Sequence, residues 1–144
     1  MSNAVKDTAA KVVTGFHRFV FRTTKGKVLG SAGGMPVVEL HTTGRKSGQR
    51  RSTMLTSPIQ NGDTVILVAS WGGDDRHPTW YLNLQADPAV EITMDGADRK
   101  MTARTATAEE RADLWPRITG SYKGYAGYQT KTDREIPVVV LEPR

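Results

Sequence analysis

Apolar and polar residues recur along this chain with two different periods, and each period predicts one kind of element. Over residues 6–25 the apolar side chains recur every three or four positions, which predicts an amphipathic helix with Val12, Phe16 and Val20 on one face. Lysine and arginine side chains share the opposite face, and Gly15 weakens the helix from inside. Two interpretations of this helix stay open: packing on the domain, or reversible contact with an anionic membrane surface.

Strands are predicted wherever β-branched and apolar residues form short runs between turn residues. Six such runs occur, at residues 35–43, 50–59, 64–70, 89–94, 99–106 and 136–141. The turns Asn61-Gly62-Asp63 and Asp95-Gly96 are typical of β-hairpins. Most of the strands are therefore expected to pair with their neighbours in antiparallel fashion.

Two further helices are predicted between the strands. The first covers residues 77–86, with Pro78 in its first turn. The second begins with a capping box formed by Thr107 and Glu110, and it is expected to kink or divide at Pro116 on its way to Gly120. Hairpin-connected strands with a few helices predict the α+β class, with a mostly antiparallel sheet that forms a small barrel. The absence of a βαβ pattern argues against a Rossmann cofactor site.

Composition and charge narrow the class of function. The 144 residues suffice for one domain, here a basic helix and linker over residues 1–30 followed by a body over residues 31–144. There is no cysteine and the three histidines lie far apart, so no metal site is predicted. No apolar run is long enough to span a bilayer and no signal peptide is recognised, so a cytoplasmic protein is expected. The net charge of +5 resides in residues 1–30, which argues against general nucleic-acid binding by the body.

A basic turn at residues 42–51 is the first candidate for chemistry. Its four cations fall within seven residues, and no acid occurs between Glu39 and Asp63 to neutralise them. Glycines on either side let backbone N–H groups converge, and arginines add paired donors, so the turn predicts a binding site for a phosphate or carboxylate. A solvated basic turn is the alternative; nucleic acid is less favoured because no aromatic residues are interleaved.

Three other segments suggest a ligand pocket. Ser70 and Trp71 follow a buried strand and precede two glycines, which lets the backbone approach a flat ligand. The start of the helix at residues 77–86 offers N–H groups to an anion, although Trp80 is as well explained by core packing. Tyr122, Tyr125 and Tyr128 recur every three residues, which predicts an aromatic pocket wall carrying hydroxyl donors.

Taken in order, these segments resemble the deazaflavin-dependent nitroreductase family, the coenzyme F420-dependent split-barrel reductases of actinobacteria. The similarity follows TTGRKSGQ, RRS, VASWGG, HPTWYLNL, ADPAVEI, the tyrosine triplet and REIPVVVLEP over residues 35–144. The resemblance implies a split β-barrel of about six mostly antiparallel strands with flanking helices, and reduced coenzyme F420, an 8-hydroxy-5-deazaflavin, as hydride donor. That cofactor carries a phosphate and an oligoglutamate tail.

The resemblance also implies roles for individual residues. Phosphate and tail would lie on Arg45, Lys46, Ser47 and Arg51. The ring and ribityl portion would be bounded by Val68, Ala69, Ser70, Trp71, Thr79, Trp80, Tyr81 and Asn83, with Tyr125 closing over the cofactor. Trp71, Tyr122, Tyr125 and Tyr128 would line the acceptor pocket, and Ser70, Tyr122 or Tyr128 would supply a proton.

The implied reaction is hydride transfer to a small electron-poor acceptor, without an obligate general base. A cyclic enone such as a coumarin or furanocoumarin lactone, a quinone, or an activated nitroaromatic would accept the hydride. The bulky Trp71 favours flat enones and quinones over large bicyclic nitro compounds. Two alternatives stay open: an FMN-binding split-barrel oxidoreductase, and a non-catalytic module that binds a membrane surface through residues 6–25. The oligomeric state is not predicted.

Overall fold

The computed structural model describes residues 31–32 and 35–144. These residues contain eight β-strands and three α-helices. The strands are β1 (Ser31–Ala32), β2 (Met35–Thr43), β3 (Arg50–Thr56), β4 (Ile59–Asn61), β5 (Thr64–Val68), β6 (Ala89–Met94), β7 (Ala97–Thr105) and β8 (Val138–Pro143). The helices are α1 (Thr79–Ala86), α2 (Ala108–Ser121) and α3 (Gly124–Thr130), and a 3-10 turn at Trp71–Gly73 precedes α1. The predicted helix at residues 6–25 lies outside the described residues.

The strands form one antiparallel sheet in the order β1-β2-β6-β7-β8-β5-β4, and β3 pairs with β2 away from this path. Within the described part of the chain, β3 pairs with β2 alone and β4 pairs with β5 alone, so the barrel is split at the point where β3 leads into β4. The predicted α+β class with a mostly antiparallel sheet is confirmed. The split matters for function, because the outer edge of β3 faces a cavity instead of another strand.

The predicted single strand at residues 50–59 is wrong in one respect, since it is two strands that break at Ser57 and Pro58. Pro58 has no N–H to donate to a strand ladder. Ser57 is fully buried and turns the chain by donating its hydroxyl to the carbonyls of Ile59 and Ile66, at 2.9 and 2.7 Å. The chain therefore leaves β2 and crosses to β5 at this point.

Helix α1 begins two residues later than predicted, because Pro78 has an extended ψ of 147° and precedes the helix as its N-cap. Helix α2 begins with the predicted capping box. It is not divided at Pro116, which lies inside one continuous helix. The φ of proline is compatible with a helix. Pro116 has no N–H to donate to the carbonyl of Ala112, but Ala112 is exposed, so water can hydrogen-bond that carbonyl instead.

Two buried clusters hold the elements together. The first fills the barrel between the sheet and α1, where Trp80, Tyr81 and Leu84 pack against Val38 and Leu40. The second joins α2 and α3 to β5 and β8 through Ile118, Tyr125, Ile136 and neighbouring valines. Helix α1 thus belongs to the first cluster, and helices α2 and α3 belong to the second. None of the helices among the described residues is long and apolar enough to cross a membrane.

Candidate active site

A cavity of about 1140 Å³ runs along the outer edge of β3. Its walls come from β2, β3, the end of β5, the 3-10 turn, the start of α1, Tyr122 at the end of α2, and two tyrosines of α3. All residues from Arg51 to Thr56 line it, which shows that the cavity meets the strand edge rather than one face of the sheet. Arginine and lysine side chains line one end of the cavity, and aromatic side chains line the other.

The cationic end is the turn between β2 and β3. Gly44 donates its N–H to the carbonyl of Gln49 at 2.8 Å and accepts the N–H of Gly48, also at 2.8 Å, and Gly48 has the positive φ of 70° that glycine permits. Asn83 connects this turn to α1, because its side-chain oxygen accepts the Arg45 N–H at 3.1 Å. The turn is therefore a fixed loop, hydrogen-bonded both internally and to the helix.

Three of the four cations of this turn, which is called the basic loop below, have no carboxylate partner among the described residues. Within residues 31–32 and 35–144, no carboxylate lies within 4.0 Å of Arg45, Lys46 or Arg51, and no aspartate or glutamate lines the cavity. Arg50 differs from these three, because it pairs with Glu91 at 3.2 Å and does not line the cavity. Ser47 contributes a hydroxyl oxygen that lies 3.4 Å from the Arg51 guanidinium. An anionic ligand would supply the missing counter-charge.

The first turn of α1 borders the same cavity through Pro78, Thr79 and Trp80. The first N–H groups of a helix have no intrahelical partner, and the helix dipole favours negative charge there. No side chain caps this end of α1. The helix start therefore adds to the attraction for an anion that the basic loop creates.

The wall between the two ends is the segment that leaves β5. Val68, Ser70 and Trp71 line the cavity, and 48% of the Trp71 surface is exposed at its mouth. Trp71 has a φ of 42°, a left-handed conformation that bulky residues rarely adopt. The Arg76 guanidinium lies 4.8 Å from the centre of the indole ring and also binds Asp74, whose pKa these hydrogen bonds lower to about 2.

The aromatic end consists of the three tyrosines. Their rings pack edge to face in a row, with centroids 5.2 Å apart for Tyr122 and Tyr125 and 6.1 Å apart for Tyr125 and Tyr128. Tyr125 is buried and Tyr122 is exposed at the mouth. Burial raises the pKa of the Tyr125 and Tyr128 phenols above their usual value, so both remain protonated hydroxyls at neutral pH.

Most of the residues expected from the sequence meet in this one cavity. Its lining includes Arg45, Lys46, Ser47, Arg51, Val68, Ser70, Trp71, Thr79, Trp80, Asn83, Tyr122, Tyr125 and Tyr128. Two expected residues do not line it. Ala69 is fully buried beneath the wall, and the Tyr81 hydroxyl lies 2.7 Å from the Thr105 hydroxyl on the far side of α1, because Tyr81 follows Trp80 by about 100° around the helix.

Sequence reasoning missed Met35, Val37 and the central residues of β3, all of which line the cavity. Alternation along β3 indicated a strand but not that its outer edge would be left unpaired. It also missed Arg134, which does not line the cavity but donates hydrogen bonds to backbone carbonyls of residues 69–74 in its wall. No local pattern marks this arginine, since its partners lie 57 to 65 residues away in the chain.

No group of three or more histidine, aspartate or glutamate side chains capable of holding a metal ion occurs in the described part of the chain. The polar and charged side chains that line the cavity include those of arginine, lysine, serine and tyrosine. A split barrel with a cationic loop and a phenolic wall is the arrangement of a reductase that binds an anionic organic cofactor.

The comparison with known proteins identifies the family. The model of the F420H(2)-dependent quinone reductase family matches residues 15–143, and the chain belongs to this family. An F420H(2)-dependent quinone reductase of Mycobacterium tuberculosis is 40% identical over 132 residues, which cover 89% of this chain and 88% of the relative.

Solved structures agree with this assignment. A structure described as an F420-H2 dependent reductase is 44% identical, with a TM-score of 0.67 over 74% of this chain and 94% of its own. A structure of a domain-swapped dimer is 34% identical, with a TM-score of 0.67 over 97% of this chain and 98% of its own. The heme storage protein HutZ of Vibrio cholerae, at 13% identity and a TM-score of 0.54, shares the fold alone.

Family membership confirms four predictions made from the sequence: the family resemblance, the split-barrel fold, an oxidoreductase, and coenzyme F420 as cofactor. It also decides between the alternatives that the sequence left open. The chain is an F420H2-dependent reductase, not an FMN-binding enzyme or a non-catalytic module.

Proposed function

We propose that this enzyme reduces a flat, electron-poor acceptor, a quinone or a cyclic enone, within the cavity along β3. One observation carries the proposal: among the described residues, the same cavity is lined by three cations and no carboxylate at one end and by three phenols at the other. The first end fits the anionic part of the cofactor. The second fits an acceptor whose oxygen becomes negative during reduction.

The residues present fit coenzyme F420. Arg45, Lys46, Ser47 and Arg51 would hold its phosphate and oligoglutamate tail, with help from the start of α1. Val68, Ser70, Trp71, Thr79, Trp80 and Asn83 would bound the ring and ribityl portion. When bound in its reduced form, the cofactor supplies a hydride; the protein aligns the two partners and excludes water.

The acceptor would lie against Trp71, Tyr122 and Tyr128. Reduction of a conjugated acceptor would place negative charge on its oxygen. A hydroxyl donor from Ser70, Tyr122 or Tyr128 would stabilise that charge and pass a proton to the oxygen. Tyr125, which lines the cavity, would close over the cofactor; its hydroxyl lies 3.4 Å from the Thr56 hydroxyl at the end of β3.

Trp71 sets the shape preference of this acceptor site. Its indole and the Tyr122 ring both line the cavity, and they are the two large apolar side chains of the described residues that are most exposed. A wide bicyclic nitro compound would have to displace the indole, whereas a flat quinone or lactone can stack on it. Large bicyclic nitro compounds are therefore proposed as poorer acceptors than flat quinones and enones.

Steady-state oxidation of F420H2 with a panel of acceptors tests the proposal. Quinones and coumarin-type enones should be turned over with a higher kcat/KM than bicyclic nitroimidazoles, and Trp71→Ala should narrow that difference. Arg50→Gln is the control, because Arg50 lies beside the basic loop but outside the cavity. Faster reduction of nitroimidazoles than of any quinone or enone by the wild-type enzyme would contradict the proposal.

We further propose peripheral contact with anionic membranes through residues 6–25. The support is the sequence pattern alone: an apolar face opposite a cluster of lysines and arginines. Sedimentation with vesicles that contain phosphatidylserine, compared with purely zwitterionic vesicles, tests it. Deletion of residues 1–30 should abolish co-sedimentation; unchanged binding of the deleted chain would refute this contact.

A further inference from the structure

Arg134 lies in the connection between α3 and β8, outside the cavity lining, yet it binds the back of the cavity wall. Its guanidinium donates to three backbone carbonyls: Nε to Asp74 at 2.8 Å, Nη1 to Ala69 at 3.2 Å and Nη2 to Ser70 at 2.9 Å. All three carbonyls belong to residues 69–74, the segment that carries Trp71.

The same guanidinium meets His77, whose Nδ1 lies 3.2 Å from Nη1. An arginine can only donate, so Nδ1 accepts and the histidine is neutral at this nitrogen. Burial and the charge of Arg134 lower the pKa of His77, which agrees with this assignment. Arg134 therefore ties together both ends of the segment between β5 and α1.

Trp71 explains why the segment needs such a partner. Its left-handed φ of 42° is unfavourable for a large side chain, and conformations of this kind persist only where the surroundings fix them. Two backbone hydrogen bonds join residues within 69–74: the Gly73 N–H donates to the Ser70 carbonyl at 2.9 Å and the Asp74 N–H donates to the Trp71 carbonyl at 3.1 Å. Arg134 adds bonds to the carbonyls on both sides of the strained residue.

Helix α3 packs against the same segment. A side chain at Gly73 would bring its Cβ to 2.7 Å from the Tyr128 carbonyl oxygen, so the 3-10 turn lies directly on the helix that carries Tyr128. Any movement of residues 69–74 would change both the position of the indole and its distance from Tyr128. Trp71 and Tyr128 are two of the walls between which the acceptor is proposed to bind.

We infer that Arg134 is a positioning residue of the acceptor site, which holds residues 69–74 so that Trp71 keeps its place at the mouth. The inference rests on the proposed function in so far as the acceptor binds against Trp71. Only a guanidinium can serve these three carbonyls together, because its donors are spread over a planar fork, whereas the lysine ammonium is a compact point charge.

The charge of Arg134 supports this role. Within residues 31–32 and 35–144, no carboxylate lies within 4.0 Å of its guanidinium. Its strong contacts are thus the carbonyls of the wall and the His77 ring, rather than an ion pair that would hold it elsewhere. A guanidinium half-buried against carbonyl dipoles is suited to fixing a backbone conformation.

Arg111 provides a matched control in the same region. It donates from Nε and Nη2 to the Ile136 carbonyl, at 3.2 and 3.1 Å, and from Nη2 to Gln129 at 3.3 Å. It thus fixes the connection between α3 and β8 but makes no contact with residues 69–74 and does not line the cavity. Loss of Arg111 should cost stability without affecting the acceptor site.

The experiment compares Arg134→Gln, Arg134→Lys and Arg111→Gln in the full-length enzyme by hydrogen exchange and by steady-state kinetics. Exchange of the Gly73 and Asp74 amides should accelerate in both Arg134 variants and stay at the wild-type rate in Arg111→Gln. The kcat/KM for a quinone should fall by about 10- to 100-fold in Arg134→Gln, mainly through KM. Affinity for coenzyme F420 should change less than the quinone KM does, because the charged side chains of the basic loop are untouched and only the residues that would bound the ring can move.

A double-mutant cycle with Trp71→Gly ties the effect to the indole. Glycine adopts a positive φ without strain and leaves no side chain to position. The double variant should therefore have the same quinone KM as the Trp71→Gly variant alone. Independent, multiplying effects of the two substitutions on KM would overturn the inference.

Two further outcomes would also overturn it: amide exchange at Gly73 and Asp74 that matches Arg111→Gln, or faster exchange with an unchanged quinone KM. If Arg134→Gln does not fold, the exchange rates and KM of Arg134→Lys decide in the same way. Failure of the wild-type enzyme to reduce any quinone or enone would refute the proposed function instead, and the exchange data would still test whether Arg134 holds the segment.

Discussion

The Tyr125 hydroxyl lies 3.4 Å from the Thr56 hydroxyl, and this contact joins helix α3 to the end of edge strand β3 across the floor of the cavity. The same phenol lies 4.0 Å from the Met35 sulfur. Because β3 is paired on one side only among the described strands, α3 braces its other side. The ring of Tyr125 belongs to the second buried cluster, so packing and hydrogen bonding act together here.

Tyr125→Phe and Tyr125→Ala separate these two contributions to stability. A 3.4 Å separation is long for a hydroxyl pair, so loss of the hydroxyl should lower the free energy of unfolding by only about 0.5 kcal/mol. Loss of the buried ring should cost about 3–5 kcal/mol. Urea unfolding measures both. Tyr122→Ala is the control and should cost about 1 kcal/mol, because Tyr122 is exposed; an equal cost at positions 122 and 125 would contradict the assignment.

The basic loop predicts how the affinity for coenzyme F420 depends on single charges. Arg45→Gln, Lys46→Gln and Arg51→Gln should each weaken binding by about 5- to 30-fold, since each removes a charge-assisted contact to phosphate or tail. Added salt should weaken the wild type more than any variant. Fluorescence titration at two ionic strengths measures this.

Arg50→Gln provides the matched control, because Arg50 is adjacent in sequence but paired with Glu91 at 3.2 Å. Its affinity for the cofactor should stay within about twofold of the wild type. A loss as large as that of Arg51→Gln would show that general positive charge, rather than the cavity-lining set, attracts the cofactor.

Tyr128 predicts a kinetic effect. Tyr128→Phe should lower kcat for a quinone by about 10- to 100-fold, because a donor to the developing oxyanion is lost, while KM changes little. Burial raises the pKa of the Tyr128 phenol, so its ionisation should not limit the wild-type rate below about pH 10. Tyr122→Phe is the comparison. A Tyr128→Phe enzyme with wild-type kcat would transfer the donor role to Ser70 or Tyr122.

The elements that local sequence determines were predicted well. Hairpin turns at Asn61-Gly62-Asp63 and Asp95-Gly96 join the expected strands, and the Thr107–Glu110 capping box begins α2 as expected. Three of the four cations of the basic turn line the cavity, on a turn that glycines fix locally. In each case the residues that determine the structure are close together in the chain.

Features that depend on distant pairing were not predicted. That β8 lies between β5 and β7, and that the outer edge of β3 is unpaired by any other described strand, follows from the packing of the whole sheet. The same holds for Arg134, because the carbonyls to which it donates are distant in sequence and are placed near it only by the fold. The possible division of α2 at Pro116 did not occur, for a different reason. The effect of a proline on a helix depends on whether water reaches the carbonyl four residues earlier.

Glu110 makes a predicted contact with Thr107 and an unpredicted one with Arg104. Together these two contacts predict how the stability of the fold depends on pH. The Glu110 side chain accepts the Thr107 N–H at 2.9 Å, as the capping box requires, and it also accepts two hydrogen bonds from Arg104, at 2.6 and 2.8 Å. These bonds, first those from Arg104, lower the pKa of Glu110 to about 2.

A carboxyl whose folded pKa lies below its unfolded value of 4.5 stabilises the fold above that value, and this stabilisation is lost as pH falls towards 2. Glu110→Gln should therefore reduce the loss of stability over this range, because glutamine does not titrate, while it keeps an acceptor for the Thr107 N–H. Glu110→Ala should in addition lower the free energy of unfolding at pH 7 by about 1 kcal/mol. Denaturant melts at pH 7, 4.5 and 3 measure both effects.

The control is Glu109→Gln, an exposed acid in the same first turn that has no ion pair among the residues described. It should leave the acid-induced loss of stability unchanged. Asp74 also has a pKa of about 2 and titrates in the same range, so part of the acid sensitivity must remain in Glu110→Gln. An acid sensitivity in Glu110→Gln equal to that of the wild type would mean that the Arg104–Glu110 pair stabilises the native and the unfolded chain alike.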